Sequence, residues 1–354
     1  MSRLPYPLAD AGSARSRQHM PLPMHSRIPS LRGRGVRSVG LLALTISLVQ
    51  CASGVEERNV VIRTVSGAAR NITRLTQSGD DELIPTVSPD GRHVAFQVMR
   101  NGQYDICTFD AVNTASRVQV TDSTANDVDP CWCSDSKTIV FSSNRLGTYS
   151  LWKQLASGGG GCTMITRGSD TLDFAPAVSP VAPVVCYHSR GVGATREVAI
   201  ETGSGSYTVF RNNLPHIWKV NLSGNELTQF GEGAFPAWAP DGKRVAFCSD
   251  AGGDWDIWTM NEDGTELTRL GSRPKNQISP CWSPDGQDIA YCSDEGGNYD
   301  LWIMRSDGTQ QTQITSDPAE EGMPNWGSDG NIYFCSQKAG NWDIWRLTPT
   351  SLPQ

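Results

Sequence analysis

From about residue 71 onward the chain alternates short apolar runs with polar turn clusters, and no stretch sustains a helical period. Runs such as Val245-Ala-Phe-Cys248, Ile289-Ala-Tyr-Cys292 and Ile332-Tyr-Phe-Cys335 are β-branched and aromatic, and Pro, Asp and Gly bound them. That pattern predicts many short, largely buried strands joined by tight turns.

The runs belong to one repeat: Pro-x-Trp-Ser-Pro-Asp-Gly, an apolar strand, Ser-Asp, a Gly-containing loop, Asp-Ile-Trp, Asp-Gly, then Leu-Thr. Its clearest copies begin at Pro236, Pro280 and Pro324 and carry Asp256-Ile-Trp258, Asp300-Leu-Trp302 and Asp343-Ile-Trp345. Earlier copies begin at Pro85, Pro130 and Pro176, so the intervals are 45, 46, 60, 44 and 44 residues. A mid-forties period with four strand-like segments is the size of a propeller blade, and the Asp-Gly turns and β-branched residues disfavour helical repeats.

Within a blade, Trp-Ser is expected in the innermost strand, Pro-Asp-Gly in a turn with Gly at positive φ, and Asp-Ile-Trp at the start of the third strand, its Trp between blades. The sixth copy ends near Trp345-Arg-Leu-Thr348 without an outer strand, while Asn71-Ile-Thr-Arg-Leu-Thr76 reads as an outer strand with no blade before it. Pairing these segments would close the ring and leave no open edge. The expected architecture is an all-β, six-bladed β-propeller over residues 71–350, after a targeting segment (1–51) and a linker (52–70).

Composition supports many turns and large rings to bury: 35 Gly, 21 Pro and 11 Trp, with 19% charged residues. Seven Arg face one acid, Asp10, in the first 50 residues, so the remainder carries a net charge of −13. An acidic body is repelled by phosphate backbones, which argues against nucleic acid as a partner.

Arg27, Arg32, Arg34 and Arg37 precede the apolar run Val39–Val49 and then Cys51, the layout of an export signal too short to span a membrane comfortably. Its start is Met1, Met20 or Met24. Leu48-Val49-Gln50-Cys51 resembles a bacterial lipobox, with Gln50 in place of the usual small residue, and marks Cys51 as the expected lipidation site. Cleavage near Ala52–Gly54 and an uncleaved anchor remain the alternatives. Cys248, Cys292 and Cys335 occupy matching repeat positions, as do Cys131 and Cys281, so they read as buried apolar residues and not as a disulfide framework.

Ser88-Pro-Asp-Gly91, Pro240-Asp-Gly242, Ser283-Pro-Asp-Gly286 and the Asp-Ile/Leu-Trp triplets together resemble the TolB-type β-propeller repeat of the WD-repeat-like class, over about residues 71–348. The resemblance implies a rigid ring that presents loops to a partner. Propellers of this type serve as periplasmic binding proteins, peptidase gating domains and polysaccharide lyases, so fold alone does not decide among them. TolB carries an additional N-terminal α/β domain, for which Gly54–Asn71 is too short.

No His-Glu-x-x-His, Gly-x-Ser-x-Gly, phosphate loop or Gly-x-Gly-x-x-Gly occurs. Ser134-Asp-Ser-Lys137 fits Ser-x-x-Lys but overlays the turn of its repeat. His188 and His216 stand where sibling repeats have Cys248 and Asp256, and they read as substitutions more readily than as metal ligands. Asp105, Asp256, Asp300 and Asp343 recur from repeat to repeat, as a structural group would and a catalytic group would not.

Two features escape the repeat. About 16 extra residues fall within Gly191–Pro215, including Arg196 and Arg211, between the second and third strands of the third copy. Strand parity puts them on the same face as the inter-blade loops, where scaffolds commonly carry function. Those loops are acidic: Asp80, Asp81 and Glu82; Asp127 and Asp129; Asp170 and Asp173; Glu320 and Glu321. They are expected to form an exposed ring that attracts a basic protein, or a divalent cation such as calcium. No other cofactor is implied. The expectation is a monomeric, exported, non-enzymatic scaffold of the periplasm or envelope that binds a protein or polysaccharide and touches the membrane only through its anchor. The alternative is a propeller enzyme: a polysaccharide lyase, or a peptidase propeller without its hydrolase domain.

Overall fold

The computed structural model describes residues 71–349 apart from 169–170, 192–194, 203–204, 213–214 and 272–274, and it describes the inserted segment between residues 195 and 212 by its backbone only. Its 26 strands form six four-stranded antiparallel sheets and one separate hairpin. Blade 1 is β2 (Asp81–Val87), β3 (His93–Arg100), β4 (Gln103–Asp110) and β5 (Val118–Gln119). Blade 2 is β6 (Asp127–Trp132), β7 (Thr138–Ser143), β8 (Ser150–Leu155) and β9 (Thr163–Met164). Blade 3 is β10 (Thr171–Val178), β11 (Val184–Gly191), β14 (His216–Asn221) and β15 (Thr228–Glu232), with the hairpin β12 (Thr195–Thr202) and β13 (Gly205–Asn212) inserted. Blade 4 is β16 (Ala234–Trp238), β17 (Arg244–Ser249), β18 (Asp256–Asn261) and β19 (Thr268–Arg269). Blade 5 is β20 (Gln277–Trp282), β21 (Asp288–Ser293), β22 (Asp300–Arg305) and β23 (Thr312–Gln313). Blade 6 is β24 (Glu321–Trp326), β25 (Ile332–Ser336), β26 (Asp343–Leu347) and, completing it from the other end of the chain, β1 (Ile72–Arg74).

The closure is therefore as expected: Ile72, Thr73 and Arg74 pair with Leu347, Arg346 and Trp345. Arg74 also reaches the fully buried Asp343 at 2.8 Å, and Thr76 Oγ1 accepts the Ile344 N–H at 2.9 Å. The first strands of the six blades touch one another around the axis, β24 meeting β2, so they are the innermost strands. The second strands are largely buried. Tyr291, Tyr333, Phe96, Phe141 and Phe334 there are sealed from solvent and fill the wedges between sheets.

Turn chemistry follows the repeat. Gly91, Gly242, Gly286 and Gly330 sit at φ of +70 to +80°, each donating its N–H to a carbonyl three residues back. Ser136 takes this place in blade 2 at φ +55°, and Asp135 Oδ1 accepts the N–H groups of Lys137 and Thr138. Ser134-Asp-Ser-Lys137 is thus a turn.

One detail of the strands differs from expectation. The innermost strand begins two to five residues before the repeat proline, and a β-bulge lies at the proline itself. In all six blades the proline and the residue before it oppose one residue of the next strand. The preceding residues, Ile84, Asp129, Ala175, Phe235, Ser279 and Met323, all have φ near +50°. That conformation costs about 1–3 kcal/mol for a residue with a Cβ, so the surrounding ring must hold it in place. The third-strand tryptophans pack between blades as expected, Trp152 in a cluster with blade 1 residues and Trp258 in one with blade 3 residues. Trp132, Trp238 and Trp282 of the innermost strands add a further link: their indole N–H groups donate to the Thr86, Ala177 and Ala237 carbonyls of the preceding blade.

All nine cysteines of the propeller are free, and burial pushes the thiols of Cys248 and Cys335 up to about 12. They pack as apolar side chains.

Candidate functional site

The antiparallel order gives the ring an upper face, where second strands turn into third strands and fourth strands lead to the next blade. Its loops are stitched together by side chains. Asn126 Oδ1 accepts the Tyr104 N–H, Asn144 Oδ1 accepts the Asn126 N–H, and the Asn341 amide donates to the Asp80 carbonyl.

Most of the acids expected to be exposed on that face are not. Asp81, Glu82, Asp127, Asp129, Asp173 and Glu321 belong to innermost strands and are at most 9% exposed. The reason is visible in their partners: these carboxylates tie strands together. Glu82 accepts from Arg117 at 2.6 Å, Asp127 from Arg145 at 2.9 Å, and Asp173 from Thr166 and Ser189, both at 2.6 Å. The Asp residues of the third strands behave alike. Asp256 pairs with Arg269 at 2.5 Å, and Asp300 accepts from Gln313 at 2.9 Å. Such charges are retained because partners compensate their burial. The placement of a ligand-attracting acidic ring is therefore corrected to a set of buried inter-strand clasps.

Asp80 and Glu320 are half-buried. Asp80 pairs with Arg100 at 2.7 Å and Glu320 accepts the Tyr299 N–H at 3.1 Å. Asp317 pairs with Lys338 at 2.7 Å. Among the described residues no group of three His, Cys, Asp or Glu side chains is placed to hold a metal ion, so the calcium expectation finds no ligand set there. Cys51, Asp170 and the side chains of Arg196 and Arg211 lie outside the described residues.

What the structure does assemble is a channel on the propeller axis, a cavity of about 430 Å³ walled by the bulged strands. The wall carries the repeat prolines, Phe235, Met323 and the inner-strand Trp238, Trp282 and Trp326. Asp129 is its one charged lining residue. Its Oδ2 accepts the Ala175 N–H from blade 3 at 3.0 Å, while its own N–H donates to Gln97 Oε1 of blade 1 at 3.0 Å. Burial pushes its carboxyl up to about 6, against the lowering effect of the Ala175 N–H.

Beside it an arc of rings crosses blades 2 to 4. Tyr149 lies 4.5 Å from Phe174, Phe174 lies 5.9 Å from His188, and His188 lies 5.1 Å from Phe235, all between ring centroids. Burial, aided by Arg190, pulls His188 down to about 3, so it is a neutral member of the arc. Its Nδ1 accepts the Phe235 N–H at 3.4 Å. His216, on the neighbouring strand, lies 3.9 Å from Glu232. Sequence reasoning named Asp129 as a loop acid but missed the arc. The available signal was the residue before each repeat proline, where one blade has Asp and the others have Ile, Ala, Phe, Ser and Met.

The comparisons agree with this architecture. The Tol-Pal system protein TolB of Anaeromyxobacter dehalogenans is 33% identical over 75 residues, 20% of this chain and 17% of that protein, so the match spans a small part of the relative's length. TolB from Acinetobacter baumannii superposes with a TM-score of 0.58 at 18% identity, covering 74% of this chain and 65% of that one. An oligogalacturonate lyase from Vibrio parahaemolyticus superposes at 0.54 with 14% identity, covering 80% and 94%. At these identities the superpositions establish the fold alone. The sequence profile of the TolB β-propeller domain (PD40) matches residues 51–211 and 201–348, which between them span most of the chain, and the chain accordingly belongs to the TolB β-propeller domain family.

Proposed function

We propose that this propeller is a non-enzymatic binding scaffold of the cell envelope that presents its upper face to a protein or polymer partner. One observation carries the reading: both departures from the repeat lie on the upper side of the ring. These are the inserted hairpin β12–β13 and the aromatic arc beside Asp129. Groups repeated in every blade are accounted for by blade closure, whereas these two are present once and close nothing.

The Tol–Pal assignment of the relative supports an envelope protein as the kind of partner. Export through Val39–Val49, anchoring at Cys51, a periplasmic location and a monomeric state complete the proposal. Loops on a rigid scaffold are the usual place for such recognition.

The test is crosslinking in intact source cells with an affinity-tagged chain, followed by mass spectrometry, run beside a variant lacking Thr195–Asn212. Capture of one envelope protein by the parent and its loss from the variant is the expected result. Turnover of an acidic oligosaccharide by the purified chain, abolished by a chelator, would replace the scaffold reading with the lyase one.

A further inference from the structure

The axial channel and the arc beside it share a chemistry that blade closure does not explain. Asp129 is 8% exposed and stands alone as a charge on a wall of proline, aromatic and aliphatic groups. No Lys or Arg lines that wall among the described residues. Glu82, Asp127 and Asp173 on other inner strands have cationic or hydroxyl partners, whereas Asp129 accepts a backbone N–H, that of Ala175, on one oxygen. Phe235 and the inner-strand Trp238, Trp282 and Trp326 line the same wall, and His188, which packs against Phe235, is held neutral. A buried carboxylate in a partly aromatic cavity of small-ligand size attracts organic cations.

We infer that the channel is a binding site for a single alkylammonium or guanidinium group on an apolar stem, with Asp129 as its counter-ion, Phe235 and the inner-strand tryptophans as its aromatic wall, and the prolines packing the stem. The bulge explains how the sequence makes this possible. A positive φ before proline is held in all six blades, and it places whichever side chain stands there on the channel wall. Only blade 2 puts a carboxylate in that position. Asp also tolerates the left-handed conformation better than the Ile or Phe of its sibling blades. Burial holds the empty carboxyl near 6, so at neutral pH it is an anion in poor surroundings, and an incoming cation relieves that cost.

The chemistry is shared by a free amine and by the side chain of a Lys or Arg in a peptide, and three probes separate the sources. Calorimetry or NMR titration of the whole protein would use pentylamine, Nα-acetyl-lysine N-methylamide and the neutral control Nα-acetyl-norleucine N-methylamide. The lysine derivative is expected to bind at least about tenfold more tightly than norleucine, and Asp129→Asn to erase that difference. Asn keeps an acceptor for the Ala175 N–H and tolerates the positive φ, so the melting temperature reports that the ring is intact. Tighter binding of pentylamine than of the lysine derivative assigns the site to a free amine. The reverse order assigns it to a peptide side chain.

Equal binding of the lysine and norleucine derivatives to the parent overturns the inference without recourse to any variant. So does an unchanged preference in a folded Asp129→Asn protein, and so does absence of binding by all three probes at millimolar concentration. The outcome is separable from the scaffold reading. Partner capture can fail while the channel still selects cations, and the channel can prove inert while the upper face still captures a partner.

Discussion

Blades 5 and 3 are built from the same repeat and have diverged in what they keep. Every residue of β20 in blade 5 is buried, and the blade has Trp282 on its inner strand, Pro284-Asp-Gly286 at its turn and Asp300 on its third strand. In blade 3 most of β10 is partly open, Val178 stands in place of the tryptophan, Pro180-Val-Ala182 replaces the turn, and His188 and His216 replace Cys292 and Asp300. Val181 at that turn is 65% exposed, where siblings carry Asp. Blade 5 spends its residues on cohesion. Blade 3 gives up cohesive groups and gains the hairpin, Phe174 and His188. Regular blades hold the ring, and the irregular one borders the features that no other blade repeats.

The largest effect expected is on the seam that lets both blades belong to one ring. Ending the chain before Asn341 removes β26 and strands β1, leaving β25 with an unpaired edge. Cooperative thermal unfolding should be lost, and dye binding to exposed apolar surface should rise. A sharp transition at the parental temperature would show that blades 5 and 3 are stable without closure.

Next in size is the inner-strand contrast. Trp282→Ala removes a ring that is 6% exposed together with its bond to the Ala237 carbonyl at 3.1 Å, and should cost about 3–5 kcal/mol in denaturant titration. Val178→Ala, at the equivalent place in blade 3, should cost about 1 kcal/mol, because its surroundings are already partly open. Equal losses would mean that blade 3 contributes as much cohesion as blade 5.

A smaller effect distinguishes the blades by pH. Burial raises Asp300 to about 7 and the neighbouring Glu321 to about 7, the charge of Asp300 adding to the latter. Both pKa values lie above the ordinary carboxylate range, so the unfolded chain loses these protons first. The stabilisation is complete below about pH 4 and is lost as pH rises through about 7. The melting temperature should fall between pH 5 and pH 8, and Asp300→Asn should flatten that decline. In blade 3 His216 stands at the Asp300 position, and burial raises Asp173 against the lowering effect of two hydroxyls, so the contribution there should be smaller. An unaltered slope in Asp300→Asn would assign the dependence to other carboxyls, Asp129 and Asp256 among them, both held near 6.

These contrasts also explain what the sequence could disclose. Blade number, closure and turns were legible because Pro, Gly and Trp recur at positions where backbone geometry admits few alternatives. The bulge was not, because a residue such as Ile84 at positive φ contradicts its own preference and is held there only by the assembled ring. The acids misled for a related reason. Asp127 and Glu82 lie beside loop residues in sequence, yet their partners Arg145 and Arg117 come from connecting segments 18 and 35 residues away. The aromatic arc was invisible because Tyr149, Phe174 and Phe235 come from three blades and meet only when the ring closes.

The smallest stability effect is the most informative about blade 3. The strands β12 and β13 pair with each other from Thr195↔Asn212 to Thr202↔Gly205 and with no blade sheet among the described residues. Blade 3 itself keeps its register from Val184↔Asn221 to Ser189↔His216 without them. Excising Thr195–Asn212 leaves a short connection between paired strand ends, comparable with Asn144–Tyr149 in blade 2, and loop shortening of this kind changes closure entropy only slightly. The melting temperature should therefore stay within about 2 °C of the parent, corresponding to about 1 kcal/mol at most for a ring of this size. Partner capture should fall while selection of the lysine probe persists, because Asp129 and Phe235 remain in place. A large loss of stability would instead make the hairpin a brace for the least cohesive blade, and the comparison with blade 5 would then concern support and not recognition.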